Sequence, residues 1–334
     1  MKRRDALRSA AGAAAAAAAW GGFPGLAGAQ AQSMVLKASD VHPPGYPTVV
    51  AVESLGKKLS AATNGRLSVQ MYPSMQLGDE KTAIEQCQVG AIALGRVSVG
   101  TLGVVADDLN VFNLPFVFRD PEHMEKVVDG PIGAKLLGEV TNNPDTHLVA
   151  LCFMDAGSRG MYNTKHPINS IADMKGLKIR VNTNPLFVDM MNDLGANGVP
   201  MGYDQVISAM QTGVVDGAEN NLPSYVFDGH YQIAKNYTFT DHLVVPEILI
   251  FSGPVWAKLS PADQALMRRL AHEASLEERT LWKAKEKDAL DKMAAAGITP
   301  VHLDKKPFQE AVKPVWDKYG AKYADLIKQI AAVK

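Results

Sequence analysis

The chain opens its folded part with a strand, a turn that cannot be helical, a helix and a second strand, and this order restricts the fold more than any other feature. Residues 34–38 alternate as a first strand and stop at Ser39-Asp40. Val41-His42-Pro43-Pro44-Gly45-Tyr46-Pro47 follows, and its three prolines fix φ and remove amide donors, so no helix runs through it. A helix is expected over about 48–62, with Val49, Val52, Leu55 and Leu59 on one face. Asn64-Gly65 ends it, and Leu67, Val69 and Met71 alternate as the second strand. A helix between two strands provides the crossover that parallel neighbours need, which implies an α/β protein with largely parallel sheets.

The unit has an internal echo. Ile84-Glu85-Gln86-Cys87-Gln88-Val89-Gly90 matches Ile207-Ser208-Ala209-Met210-Gln211-Thr212-Gly213, each ending a helix on a glycine suited to the left-handed region. Each is followed by a short apolar strand, Ala91-Ile92-Ala93-Leu94 or Val214-Val215. The repetition suggests two lobes of similar construction, and 334 residues suffice to build both. In the last third, residues 261–295 read as one charged helix that could lie across both lobes, with Leu266, Leu270, Ala274 and Leu281 in register. A final helix is expected over about 307–332.

The N-terminal segment reads differently. Lys2, Arg3, Arg4 and Arg8 precede an Ala-rich apolar run, then A-x-A sites at 27–29 and 29–31, the pattern of a secretory signal peptide spanning 1–31. Arg3-Arg4 leaves twin-arginine and general secretory export both open. Its removal takes four basic and one acidic residue from totals of 34 and 35, leaving 30 and 34, a net charge of −4. That balance offers no electrostatic footprint for nucleic acid, and no later run of 18 apolar residues suggests a membrane span. Cys87 and Cys152 sit in apolar surroundings and read as buried free thiols, although an oxidising compartment could pair them. No spacing of ligands suits a metal, and none of the phosphate-loop or nucleophile motifs of cofactor enzymes occurs, so neither metal nor cofactor is expected.

The stretch with most chemistry is Gly176-Leu177-Lys178-Ile179-Arg180-Val181. Leu177, Ile179 and Val181 alternate as a strand and set Arg180 near its carboxyl end, where α/β folds bind ligands. Asn184-Pro185 then caps a helix. A guanidinium beside a helix N-terminus suits a carboxylate, whereas a surface pair with Asp189 is the alternative that spacing alone favours.

These residues resemble the solute-binding subunit of tripartite ATP-independent periplasmic (TRAP) transporters. The likeness runs through residues 176–181, Leu194-Gly195-Ala196 and Met210-Gln211-Thr212-Gly213-Val214-Val215-Asp216-Gly217-Ala218-Glu219-Asn220, with 72–79 and 113–118 also matching, and covers nearly the whole chain after the signal. It implies a two-lobed clamshell that closes over an organic acid and passes it to membrane subunits of a transporter, without catalysis. The division implied is lobe I from 32–156 plus about 246–285, and lobe II from about 157–245 plus 286–334. It implies Arg180 as the carboxylate clamp, with Arg159 and Asn220 as further ligand contacts. His42, Tyr46 and Arg96, after the first and third strands, and Glu219 and Asn221, beside Asn220, are additional candidates from their positions.

His42-Pro43-Pro44-Gly45-Tyr46-Pro47 together with residues 217–225 resembles the hexuronate-binding branch of that family. Glucuronate or galacturonate is therefore the expected ligand. Another sugar acid, a C4-dicarboxylate, a 2-oxo acid, or a periplasmic enzyme acting on such acids stand as the alternatives.

Overall fold

The computed structural model describes residues 33–334; the signal-peptide reading of 1–31 lies outside them. Strands β1 (Met34–Ser39), β2 (Leu67–Tyr72), β3 (Leu94–Ser98) and β4 (Leu148–Met154) lie in one sheet. Strands β5 (Arg159–Asn163), β6 (Lys178–Val181), β7 (Asn197–Pro200), β8 (Gly217–Asn221) and β9 (Asn236–Leu243) lie in a second. The chain then returns with β10 (Glu247–Ser252) and ends with β11 (Val301–His302), giving orders β2-β1-β3-β10-β4 and β11-β9-β5-β8-β6-β7.

Each sheet is parallel except for one strand. β10 runs against β3 and β4, and β5 against β8 and β9. These two strands are reached from the other sheet through short links, 155–158 and 244–246, with no helix to make the crossover a parallel neighbour requires. The expected parallel sheets are therefore mixed, and the exceptions mark where the chain passes between the halves.

The helix Pro47–Ala62 begins on Pro47, whose missing amide costs nothing at that position. The two echoed helices do end on left-handed glycines, Gly90 at φ 78° and Gly213 at φ 74°. The strands after them start later than the sequence suggests. Ala91 donates back to Gln86 O and Val215 to Ala209 O, so these amides close the helix ends instead of entering a ladder. As a result Arg96 lies inside β3 rather than beyond it.

The helix Pro261–Ala295 spans both lobes. Ser260 caps it by accepting from Asp263 N, and 35 residues give a length of about 52 Å. Its first turns bury Met267, Leu270, Ala271 and Ala274 against Leu55 and Phe251 of the first half. Trp282, at the middle, packs on Tyr46, Val49 and Ala156. Ala289 and Met293 join Val206, Tyr225 and Tyr237 of the second half.

The tail is not the single helix expected over 307–332. It breaks into Lys306–Ala311, Lys313–Val315, a wide turn at Trp316–Gly320, a tight turn at Ala321–Tyr323 and Ala324–Ala332; the first break falls where Pro314 has no amide to donate. The division assigns this tail to lobe II, and its packing spreads over both. Lys318 and Tyr319 hold Asp189, whereas Tyr323 donates to Asp107 O and Arg119 donates to Val333 O at 2.6 Å. Cys87 and Cys152 are both buried and free, and burial pushes the Cys152 thiol up to about 12. Among the described residues no helix is long and apolar enough to cross a membrane.

Candidate functional site

A cleft lies between the two sheets, at the carboxyl ends of β1, β3, β6 and β8. From the first half it is lined by Val41, His42, Glu80, Ser98 and Glu247, and from the second by Arg159, Arg180, Asn182, Tyr203, Asn220 and Ser224. In this closed arrangement the cleft is narrow, with its two walls close together. The lining is almost wholly polar, which suits a hydroxylated ligand.

Arg180 is the residue whose surroundings say most. β6 carries it in register with Ala218 of β8 and Val199 of β7, neither of which can balance its charge. It is 5% exposed, and Nε and Nη2 both donate to Met201 O, at 3.1 and 2.8 Å. Its guanidinium stands 5.5 Å over the Tyr203 ring. Among the described residues it has no ion pair within 4.0 Å; Asp189, the alternative partner, is held by Lys318 and Tyr319 instead. Burial pushes its pKa below the usual arginine range, although arginine remains charged. Two of its five N–H donors go to Met201, and the remaining edge has the fork geometry that matches a carboxylate.

The other two arginines are already neutralised. Arg159 Nε donates to Glu219 Oε2 at 2.5 Å, Nη2 to Oε1 at 2.9 Å, and Nη1 to Asn220 Oδ1 at 2.9 Å. Burial works against the Glu219 charge, but Arg159 and His242 outweigh it and hold the carboxyl at about 2. Arg96 is 1% exposed and bonds Asp40, Glu80 and Glu247 together. It stands behind the cleft wall, so its guanidinium organises acids there rather than facing the cleft.

The halves also meet directly. His42 Nδ1 lies 3.0 Å from Asp228 Oδ2, which accepts from Tyr203 OH at 2.6 Å. His42 stacks on Tyr46 with ring centres 3.8 Å apart, and Tyr46 OH reaches Ser224 Oγ at 2.9 Å. The proline segment that keeps His42 and Tyr46 off a helix thus aims both rings across the gap. Asn184 caps the helix Pro185–Asp193 and also donates to Gly100 O at 2.9 Å on the far side.

Of the eight residues singled out from sequence, the fold brings Arg180, Arg159, Asn220 and His42 to the cleft lining. Tyr46, Arg96, Glu219 and Asn221 lie behind it. Asn221 is spent on capping the helix Leu222–Phe227, accepting from Ser224 N at 2.8 Å. Sequence reasoning missed Glu80, Ser98, Asn182, Tyr203, Ser224 and Glu247. Only Glu247 leaves a mark there, a lone charge at the head of the apolar run Ile248-Leu249-Ile250-Phe251.

A sequence profile of the bacterial extracellular solute-binding proteins, family 7, matches residues 38–322. The chain belongs to this family. Among solved structures, this family 7 chain is 50% identical to a TRAP periplasmic solute binding protein from Pseudomonas putida F1 with bound D-glucuronate; the match covers 90% of this chain and 98% of that one, with a TM-score of 0.88. A Xanthobacter autotrophicus Py2 protein with bound β-D-galacturonate is 41% identical, over 90% and 100% of the chains, at TM-score 0.86. The Citrobacter koseri protein with bound D-glucuronate is 46% identical, over 90% and 100%, at TM-score 0.89. Its apo, open structure matches at 43% identity over 89% and 98%, with a TM-score of 0.79. This solute-binding protein therefore resembles the ligand-bound form more closely than the open one, in keeping with the contacts His42 and Tyr46 make across the cleft.

Proposed function

We propose that this solute-binding protein captures a hexuronate, D-glucuronate or D-galacturonate, and delivers it to the membrane subunits of a TRAP transporter. The observation that carries the reading is Arg180: a guanidinium buried in a polar cleft with no carboxylate of its own. A buried charge without a counter-charge is costly, and an anionic ligand removes that cost on binding. The ring hydroxyls then find the polar groups of Asn182, Asn220, Tyr203, Ser224 and Glu247. The relatives that hold glucuronate and galacturonate supply the ligand class.

The cycle needs no covalent step, and we assign the protein no catalytic role. It is exported to the periplasm behind the 1–31 leader, with the two lobes divided at the short links 155–158 and 244–246. The open form admits the acid, closure brings His42 and Tyr46 onto Asp228 and Ser224, and the closed surface docks on the transporter. The ligand favours closure only by binding the closed form more tightly. A thermal-shift panel of hexuronates, aldonates, sialic acid, C4-dicarboxylates and 2-oxo acids tests the assignment. At 100 times its dissociation constant a ligand adds about 2.7 kcal/mol, a shift of several degrees. Shifts with the two hexuronates are expected; a shift confined to another acid class would overturn the ligand assignment.

A further inference from the structure

We propose that Glu247 decides which end of the ligand is charged: it accepts a hydroxyl and repels a second carboxylate, so the site takes monocarboxylate sugars and refuses dicarboxylates of the same length. The proposal rests on the hexuronate reading and adds the part played by the wall facing Arg180.

That wall has an excess of acid. Arg96 sits in β3 between β1 and β10, in register with Leu249, while Glu247 pairs with Ser98. One guanidinium serves three carboxylates, Asp40, Glu80 and Glu247; burial pushes the Glu247 carboxyl above its usual range, against the pull of Arg96. Two of the three are saturated. Asp40 Oδ1 accepts from His42 N and Arg96, and Oδ2 from Thr48 Oγ1. Glu80 Oε1 accepts from Arg96 and Ser98 N, and Oε2 from Thr101 Oγ1.

Glu247 differs from both. Its Oε2 accepts from Arg96 Nη1 at 2.6 Å, whereas Oε1 takes no hydrogen bond among the described residues. The residue is 6% exposed and lines the same cleft as Arg180. Its Oε1 has no protein donor among the described residues and opens onto the cleft, so it is free to accept from a ligand hydroxyl. A sugar hydroxyl has a proton to give; a carboxylate has none and adds a like charge to a cluster already in excess. Arg180 and the acid cluster together therefore set a polarity, with the ligand's anionic end on Arg180 and its neutral end on Glu247.

D-Glucarate has the skeleton of D-glucuronate with a second carboxylate at the other end, and so serves as the probe. Calorimetry on the wild type and on Glu247→Gln measures both acids, with displacement of glucuronate used for the weaker one. The wild type should bind glucarate about 100-fold more weakly. Glu247→Gln should narrow that ratio at least about tenfold, because glutamine removes the charge and keeps the shape. Ring closure differs between the two acids but cancels when the ratios of wild type and variant are compared. Equal affinity of the wild type for both acids, or a ratio that the variant leaves unchanged, overturns the proposal. If melting curves show that Glu247→Gln is misfolded, Glu80→Gln, which takes one charge from the same cluster, is read in the same way. Failure of the wild type to bind glucuronate and galacturonate at all would instead overturn the hexuronate reading, and this inference with it.

Discussion

Replacing Arg180 by methionine should abolish tight ligand binding while leaving the empty protein folded, because binding and folding make opposite demands on that guanidinium. In this closed structure Arg180 is 5% exposed, has two bonds to Met201 O and has no ion pair among the described residues. Methionine removes a buried charge, which is stabilising, and strips Met201 O of its donors, which costs about 1–3 kcal/mol. The two effects offset each other, so the stability of the empty protein should change by no more than about 2 kcal/mol. Ligand binding has no such compensation. Losing one partner of a buried charge pair costs about 2–5 kcal/mol, equivalent to a dissociation constant raised about 30- to 4,000-fold. Arg180→Lys should fall between, since lysine keeps the charge and loses the planar fork. Arg159→Met is the contrast. It strands Glu219, which is fully buried and bonded twice to that guanidinium, so it should destabilise the fold by about 3–5 kcal/mol and lower the melting temperature by on the order of 10 °C. Calorimetric titration with glucuronate and scanning calorimetry on both variants separate the two arginines. Affinity of Arg180→Met within threefold of wild type, or equal destabilisation by both changes, would refute the reasoning.

Three further outcomes follow from the geometry. Burial raises Asp155 to about 6, so the folded state keeps a proton the unfolded chain has released, and this group costs stability as pH rises from about 4 to about 6. Asp155→Asn should thus raise the melting temperature at pH 7.5, by up to about 3 kcal/mol of stability, and change little near pH 4; an effect independent of pH would contradict it. Glu219 titrates the other way: held at about 2, it contributes stability above its unfolded value near 4.5 and loses it as pH falls toward 2. Glu219→Gln should cost about 3 kcal/mol at pH 7, with the gap from wild type narrowing as melting curves are taken below pH 4.5. Asp228→Asn weakens the link between His42 and Tyr203 across the cleft. It should lower glucuronate affinity about 5- to 30-fold and leave the glucuronate-loaded protein larger in small-angle scattering; an unchanged radius with unchanged affinity would remove that contact from closure.

How far the sequence could be read depends on how local each signal was. The first strand, the proline segment, the helix Pro47–Ala62 and the helix Pro261–Ala295 are written in alternation, ring constraints and caps within a few residues, and they stand in the structure nearly as spaced. Gly90 and Gly213 end their helices as expected, yet the strands after them start late, because closing the helix consumes the next amides. The first break in the tail falls at one proline, Pro314, inside an otherwise continuous helical pattern. The site is harder to read. Arg96 and Arg180 both look like strand arginines, and nothing near either one in the chain says which is already paired. Sheet order decides it: β3 lies between strands that bring Asp40 and Glu247 beside Arg96, while Ala218 and Val199 flank Arg180. Glu80, Tyr203 and Glu247 come from segments far apart in sequence, and only the passage of β10 back into the first sheet puts them around one space.

The most direct test of the central claim is a crystal structure of the protein grown with D-glucuronate. The account predicts the ligand in the cleft with its carboxylate on the Nη edge of Arg180, within about 3.2 Å, and a ring hydroxyl donating to Glu247 Oε1. A carboxylate seated away from Arg180, or a sugar bound with its anionic end toward Glu247, would contradict it.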